Sequence, residues 1–298
     1  MSSGPWVLRS LLFVPGNRPD MIAKAGRYGA DALILDLEDG VAPDEKARAC
    51  QVVAGALDAG IPGSPIVFLR INGSGSGLLA RDLREAFRPG TAALCLPKCE
   101  TPEEVVMLDA SLHALESQHR LPRGGTRILP MIESARGVVQ AAAIAGSHAR
   151  VCGLAFGAED YTADLGVRRT RQGAEIAYPR AAVSVAAHAA GVDAVDGIYA
   201  DFRDTDGLRA DTGAARALGY TGKMLIHPAQ VAPVHAAFAP EAAEVEQAQR
   251  IVAAFEAAEA RGSGVVVVDG AMVDRPVVLR ARRTLAIASR PVVDRERD

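Results

Sequence analysis

The feature that most constrains the fold of this chain is a regular alternation of short apolar segments with segments of helical periodicity. The apolar segments are continuous runs, as expected of parallel strands whose two faces are both covered. Each run is followed by a stretch whose apolar residues recur at helical spacing. The eight predicted strands are VLRSLLFVPG, ADALILDLEDG, SPIVFLRING, AALCLPK, TRILPMIES, VCGLAFGAED, DAVDGIYAD and GKMLIHP.

Eight successive strand–helix units predict an α/β protein with a (β/α)8, or TIM, barrel over residues 1–238. The main alternative is a doubly wound open sheet. That fold would carry a glycine-rich dinucleotide-binding turn after its first strand, and no such turn follows the first strand here. The pattern therefore favours the barrel as the catalytic domain.

Residues 239–298 lie outside the eight-unit count and predict a separate extension. They contain a long helical segment, the stretch GVVVVDGAMVDRP and a final helical segment. The middle stretch is typical of a β-hairpin turning at Asp269–Gly270, because Asp-Gly suits the positive φ angles of a tight turn. We interpret this tail as a helix–hairpin–helix C-terminal extension that packs on the barrel or on a neighbouring subunit.

Composition excludes several classes of partner. The 298 residues carry a formal net charge of −3, which offers no basic surface for nucleic acid. No apolar run reaches the length of a membrane span, and the N-terminus has no secretory signal pattern. The four cysteines form no CxxC pair and have no histidines at zinc spacing, so we expect reduced thiols. These features predict a soluble, cytoplasmic protein.

Carboxylates follow two neighbouring strands of the predicted barrel. Glu133 ends strand five and Asp160 ends strand six. The carboxyl ends of barrel strands converge on one face, where active sites lie. Two carboxylates in a half-buried site repel each other unless a cation joins them, and oxygen ligands alone favour Mg²⁺. The alternative is that each acid caps a helix or lies in a loop.

Basic side chains end strands three and four of the same face. Arg70 fits an anion clamp, because a guanidinium binds a carboxylate or enolate oxygen in a fixed fork; its alternative is an ion pair with a strand-end acid. Asp36 and Glu38 could pair with Arg70 and orient it, or cap the next helix. Lys98 could contact an anionic substrate or lie at the rim of the site.

These residues occur in an ordered set of motifs that resembles a known family. The motifs are RSLLFVPGNRP, LDLEDGVAPDEKARA, FLRING, LPK, PMIES, FGAEDYTADLG, GKMLIHPAQ and DRPVVLRARR, and they span nearly the whole chain. The chain resembles the citrate lyase β-subunit family of the HpcH/HpaI aldolase group. The resemblance implies a (β/α)8 barrel, a homo-oligomer that is often a trimer, bound Mg²⁺ and an acyl thioester substrate.

The resemblance also implies roles for individual residues. It makes Glu133 and Asp160 metal ligands, places Arg70 at the substrate carboxylate and at the carbonyl that becomes an enolate, and sets Asp36 and Glu38 beside that site. The implied reaction is reversible carbon–carbon cleavage of a citryl-, malyl- or citramalyl-type thioester to an acyl thioester and a 2-oxo acid such as oxaloacetate. Asp36, Glu38 and a metal-bound water are all candidates for the base.

Three alternatives stay open within the resemblance. Asp274 matches an aspartate that some malate synthase or malyl-CoA thioesterase relatives use, or it is an ordinary turn acid. The chain could act on an acyl carrier protein within a multisubunit complex, or on free CoA thioesters. In the second case Arg18 and Lys24 could meet the CoA phosphates, or be surface charges. An aldolase acting on free pyruvate is disfavoured, because no histidine lies early in the barrel to serve as base.

Overall fold

A computed structural model describes residues 6–63 and 65–289. Residue contacts divide the chain into two compact units, Met1–His235 and Ala236–Asp298. The division falls within the last helix of the first unit, so the boundary at 238 stays a prediction. Among the described residues, no helix combines the length and the apolar character needed to cross a membrane.

The first unit is a closed barrel of eight parallel strands in sequence order. The first strand pairs with both the second and the eighth, which closes the sheet. This confirms the predicted (β/α)8 barrel. The strands are β1 (Ser10–Pro15), β2 (Ala32–Asp36), β3 (Ile66–Arg70), β4 (Thr91–Leu96), β5 (Arg127–Ile132), β6 (Gly153–Phe156), β7 (Asp193–Asp196) and β8 (Gly222–Leu225).

Helices connect successive strands, with an additional short helix after β6. The helices are α1 (Pro19–Ala25), α2 (Lys46–Ala59), α3 (Leu79–Ala86), α4 (Pro102–Gln118), α5 (Ala135–Ala145), α6 (Ala158–Asp164), α7 (Ala177–Ala190), α8 (Thr205–Ala217) and α9 (Val231–Phe238). Several begin with a proline in their first turn, where the missing N–H costs nothing.

The barrel interior is filled by alternate residues of its strands. Every strand contributes at least one side chain to a single buried apolar cluster, for example Leu11, Ile34, Phe68, Met131 and Met224. Side chains alternate between the two faces of a strand, so the intervening residues face the helices. All four cysteines are buried and none forms a disulfide, as expected.

The second unit contains the predicted helix–hairpin–helix. Its elements are α10 (Ala242–Glu259), β9 (Val266–Val268), β10 (Ala271–Val273) and α11 (Arg275–Ala288). Asp269 and Gly270 both have positive φ, 51° and 78°, which is the backbone of the tight hairpin turn that the Asp-Gly pair predicts.

Candidate active site

Three charged side chains continue the inward-facing series of the barrel strands. Ile34, Phe68 and Met131 lie in the interior cluster. Residues two positions further along a strand face the same way. The residues at those positions are Asp36, Arg70 and Glu133. The strand pattern therefore directs an acid, a guanidinium and a second acid toward the carboxyl-terminal mouth of the barrel.

Arg70 is held in a fixed orientation by two acids. Its Nε and Nη2 each donate a hydrogen bond of 2.7 Å to the two carboxylate oxygens of Asp36. Its Nη1 lies 3.1 Å from Glu38 Oε2, and the guanidinium packs 4.6 Å above the ring of Phe13. Burial opposes the charge, but Asp36 and Glu38 outweigh it, so the pKa of Arg70 is raised. The expected pairing of Arg70 with both acids is thus present.

Lys98 contacts acids on both sides of the site: Glu38, which pairs with Arg70, and the pair Glu133 and Asp160. Its Nζ lies 2.5 Å from Glu38 Oε1 and 3.8 Å from Asp160 Oδ1, while its backbone N–H donates to Glu133 at 2.6 Å. Its φ of 52° is in the left-handed region, which is uncommon outside glycine. Its Nζ also lies 3.3 Å from Asp39 Oδ2, so this one residue contacts four carboxylates.

Glu133 is a buried carboxyl group with incomplete charge compensation. Its side chain follows β5 and the residue is 3% exposed. Burial and then the negative charge of Asp160 raise the pKa of Glu133 to about 7, against the opposing effect of the Lys98 N–H. Gly157 makes room for this group, because a Cβ there would stand 2.3 Å from Glu133 Oε2.

Asp160 differs in position from the expectation that it ends a strand. Strand β6 stops at Phe156, and Asp160 lies in the first turn of α6. A carboxylate in the first turn of a helix is favoured by the helix dipole. Its side chain is 38% exposed and lies 3.8 Å from Lys98 Nζ. The turn into the helix thus keeps Asp160 beside Glu133 and Lys98.

The other two acids of GAEDYTAD serve other contacts. Asp164 accepts a 2.8 Å hydrogen bond from the backbone N–H of Ala135, the first residue of α5. Glu159 lies 3.6 Å from Arg169 Nε. Of the three carboxylates in this segment, Asp160 is therefore the one that the structure joins to Lys98.

Glu133 and Asp160 suit a hard divalent cation that keeps several waters. Within residues 6–63 and 65–289, no group of three or more His, Cys, Asp and Glu side chains is arranged to hold a metal. Mg²⁺ commonly binds through one or two carboxylates, with waters and substrate oxygens completing its shell. A cation at this position would favour the ionised form of Glu133, which burial and the negative charge of Asp160 both oppose.

The remaining predicted site residues are Arg18, Lys24 and Asp274. Arg18 is exposed and pairs with Asp20 at 3.2 Å. Lys24 is exposed in the last turn of α1. Asp274 lies in the second unit, where its side chain accepts a 3.4 Å hydrogen bond from Val277 N and caps α11. Their proposed substrate contacts stay predictions.

A buried lysine near the site was not predicted. Lys46 donates hydrogen bonds to the carbonyls of Leu37 and Glu38 and to the side chain of Asn72. One signal is visible in the sequence: the chain has only four lysines, and this one lies near the predicted start of a helix, where a cation opposes the dipole.

Known proteins resemble this chain in sequence and in fold. A family model described as HpcH/HpaI aldolase/citrate lyase matches residues 9–228. The citrate lyase subunit beta of Leuconostoc mesenteroides subsp. cremoris is 40% identical over 281 residues, covering 94% of this chain and 93% of that protein. A (3S)-malyl-CoA thioesterase of Cereibacter sphaeroides (strain KD131 / KCTC 12085) is 38% identical over 281 residues, 94% of both proteins.

A solved structure extends the similarity to three dimensions. The crystal structure of CitE from Mycobacterium tuberculosis in complex with magnesium, acetoacetate and coenzyme A matches with a TM-score of 0.78 and 33% sequence identity. The match covers 95% of this chain and 98% of that chain. With the family model matching most of the sequence and relatives aligned over nearly its full length, this chain belongs to the HpcH/HpaI aldolase/citrate lyase family.

Proposed function

We propose that this chain is a Mg²⁺-dependent carbon–carbon lyase that cleaves a 3-hydroxy acyl thioester of the citryl-, malyl- or citramalyl-CoA type. The products are an acyl thioester and a 2-oxo acid. The observation that carries the proposal is a buried, doubly held Arg70 on the same barrel face as Glu133 and Asp160. Membership of a family that includes citrate lyase β-subunits supports a lyase reaction.

Arg70 is suited to the charge that develops on cleavage. When the 3-hydroxyl loses its proton and the carbon–carbon bond breaks, the electron pair moves onto the thioester as an enolate. Asp36 takes the Nε–Nη2 edge of the guanidinium, and Glu38 lies at Nη1. Two of the five guanidinium N–H groups, one on each Nη, are then left for the enolate oxygen. A donor fixed before the reaction stabilises that charge without reorganising.

Glu133 and Asp160 would hold the metal ion in this proposal. Bound Mg²⁺ supplies Lewis-acid polarisation of substrate oxygen atoms. The relative from M. tuberculosis was crystallised with magnesium, which supports the same ion here. Lys98 would add positive charge for an anionic substrate. Its Nζ lies 3.8 Å from Asp160 Oδ1 and 2.5 Å from Glu38 Oε1, between the proposed metal ligand and the acid that contacts Arg70.

The contacts of Asp36 and Glu38 support one of these two acids over the other as the general base. Asp36 accepts two hydrogen bonds from Arg70 and two more from the backbone N–H groups of Glu38 and Gly40. Those four bonds suit a residue that holds Arg70 rather than one that takes a proton. Burial raises the pKa of Glu38 despite its contacts with Arg70 and Lys98. Of the two acids, Glu38 is the better candidate for general base.

The test is a turnover assay on the purified chain. Malyl-CoA, citramalyl-CoA and citryl-CoA are each presented with Mg²⁺ or with EDTA, to the native chain and to Glu133→Gln. The matched control is Glu103→Gln, an exposed carboxylate on α4. We expect metal-dependent formation of a 2-oxo acid from one thioester, lost in Glu133→Gln and kept in the control. No turnover by folded, Mg²⁺-binding protein would reject a stand-alone lyase and favour a subunit that needs an acyl carrier partner.

Thioester hydrolysis is the second candidate function. A relative of 38% identity is named a (3S)-malyl-CoA thioesterase, and Asp274 lies in the tail where the resemblance implies a catalytic aspartate. Asparagine caps helices as well as aspartate does, so Asp274→Asn keeps the cap on α11 and removes only the carboxylate. Free CoA and free acid produced by the native chain, and lost in Asp274→Asn, would establish hydrolysis; loss of cleavage as well would assign Asp274 to both reactions.

We further propose that the chain assembles as a homotrimer, as the family resemblance implies. Light scattering on the purified chain checks this, and a species of three times the 31.1-kDa chain mass is expected.

A further inference from the structure

Lys46 is a buried cation whose three hydrogen bonds all end on uncharged atoms. It is the first residue of α2 and is 9% exposed. Its Nζ donates to Leu37 O at 2.8 Å, to Glu38 O at 2.7 Å and to Asn72 Oδ1 at 2.8 Å. These bonds use all three N–H donors of the ammonium group.

Two local rules oppose a lysine at this position. The first turn of a helix disfavours a cation, because the helix dipole is positive there. A buried ammonium group is also costly unless it is well compensated, and lysine is seldom buried without a charged partner. Positions that break local rules concentrate at functional sites. Lys46 therefore points to a task that a smaller or apolar side chain would not perform.

Two of the groups that accept hydrogen bonds from Lys46 make further hydrogen bonds of their own. Asn72 donates from Nδ2 to Asp82 at 2.6 Å and to Leu37 O at 3.0 Å, and its backbone N–H donates to the same Asp82 at 2.8 Å. Asp82 is fully buried on α3. A continuous set of bonds thus connects α3, the end of β3, α2 and the loop after β2.

We infer that Lys46 is a positioning residue that fixes the Leu37–Glu38 backbone, so that the Glu38 carboxylate faces Arg70. The Glu38 carbonyl is bound to Lys46, and its side chain lies 3.1 Å from Arg70 Nη1. Asp36 holds the other edge of Arg70 through two hydrogen bonds of its own. The three hydrogen bonds of Lys46 go to Leu37, Glu38 and Asn72, and none of them goes to Asp36. The inference rests on the proposed function, in which Arg70 binds the substrate.

The kinetic test removes the three donors with little change in volume. Lys46→Met should lower kcat about 10- to 100-fold, the usual effect of losing a group that orients a catalytic residue. Arg48→Met is the matched control, a cation on the same helix with a side chain 62% exposed. If Lys46 acts through Glu38, then Lys46→Met combined with Glu38→Gln should be little worse than Glu38→Gln alone. Additive losses would overturn the inference.

A second test needs no turnover and so separates this inference from the proposed function. Solvent exchange of the Arg70 guanidinium protons is measured by NMR, with signals assigned by their loss in Arg70→Lys. In Lys46→Met we expect faster exchange at Nη1, beside Glu38, and unchanged exchange at Nε, held by Asp36. General loosening would speed both, and unchanged Nη1 exchange would equally reject the inference. Lys46→Gln, which keeps an amide donor, replaces the methionine variant if that variant does not fold, with the same expectation.

Discussion

At the scale of single residues, the site depends on side chains whose geometry is set by their neighbours. Arg70 is the clearest case, because both edges of its guanidinium are engaged or directed by acids. Lys98 is another, since its left-handed backbone aims its N–H at Glu133 while its ammonium group reaches Glu38. Backbone strain of this kind persists where the surrounding structure requires it and is frequent at functional sites.

Arg70→Lys tests whether the fork, rather than the charge alone, is needed. Lysine keeps one positive charge but has no planar pair of donors to match Asp36 and an enolate oxygen together. We expect kcat/KM for the cleaved thioester to fall about 10²- to 10³-fold. Arg136→Lys, on a side chain 68% exposed in α5, is the control and should be unchanged. A loss no larger than that of the control would remove Arg70 from the mechanism.

Gly157→Ala tests the space reserved for Glu133. A Cβ at this position would stand 2.3 Å from Glu133 Oε2 and 2.7 Å from its Cβ, so the carboxylate has to move. We expect Mg²⁺ affinity, measured by calorimetry, to fall about 10- to 100-fold. The control is Gly55→Ala in α2, where a Cβ meets no atom within 4 Å. Removing a helical glycine there should stabilise the protein by about 1 kcal/mol and leave Mg²⁺ affinity unchanged.

At the scale of elements, the segment after β6 shows what the sequence pattern misses. The run VCGLAFGAED predicts a strand that continues to the acids, whereas the chain turns into α6 at Gly157. At that turn Gly157 lies against Glu133, a contact between segments more than 20 residues apart in sequence. The periodicity of apolar residues indicates which face of a segment is buried, but it does not predict contacts between distant segments.

A buried ion pair joins α4 to the segment before β6 and supplies a pH-dependent prediction. Arg150 donates from Nη1 and Nη2 to the two oxygens of Glu116 at 2.6 and 2.7 Å, and both side chains are almost fully buried. Burial opposes ionisation of Glu116. Arg150 and the N–H groups of Thr126 and Gly124 outweigh it and lower the pKa of Glu116 from 4.5 to about 2.

Glu116→Gln should cost about 3 kcal/mol of unfolding free energy at neutral pH, the low end of the range for a broken buried ion pair, because Arg150 stays buried but still pairs with Asp109. When folding lowers the pKa of a carboxyl group, that group contributes its full stabilisation at pH values above its unfolded pKa. The contribution is lost as the pH falls through the folded pKa. The difference between native chain and variant should therefore shrink from about pH 4.5 toward pH 2. Urea unfolding at several pH values measures it. Glu256→Gln, which breaks an exposed pair with Arg282, should cost under about 1 kcal/mol at every pH.

For the molecule as a whole, the barrel could be predicted from the sequence because each strand is a continuous apolar run between turn residues. Asp36, Arg70 and Glu133 could be predicted as site residues for the same reason. Each lies at or just after the end of such a run, at a position whose side chain faces the barrel interior. Lys46 was not, because its partners are two backbone carbonyls and an amide that only the closed barrel brings together. A lysine at the start of a helix otherwise indicates a solvated surface.

Mg²⁺ binding should stabilise the barrel as a whole, since the two proposed ligands come from segments that only folding brings together. Glu133 follows β5 and Asp160 lies in α6, so the unfolded chain presents no such pair. A ligand at 100 times its Kd that binds only the folded state adds about 2.7 kcal/mol. We expect the Tm of the native chain and of Glu103→Gln to rise by several degrees in Mg²⁺ and to fall back in EDTA. Glu133→Gln should show a much smaller shift, because its neutral amide oxygen is a weaker ligand for Mg²⁺ than a carboxylate. An undiminished shift in that variant would place the ion elsewhere and remove Glu133 from the proposed metal site.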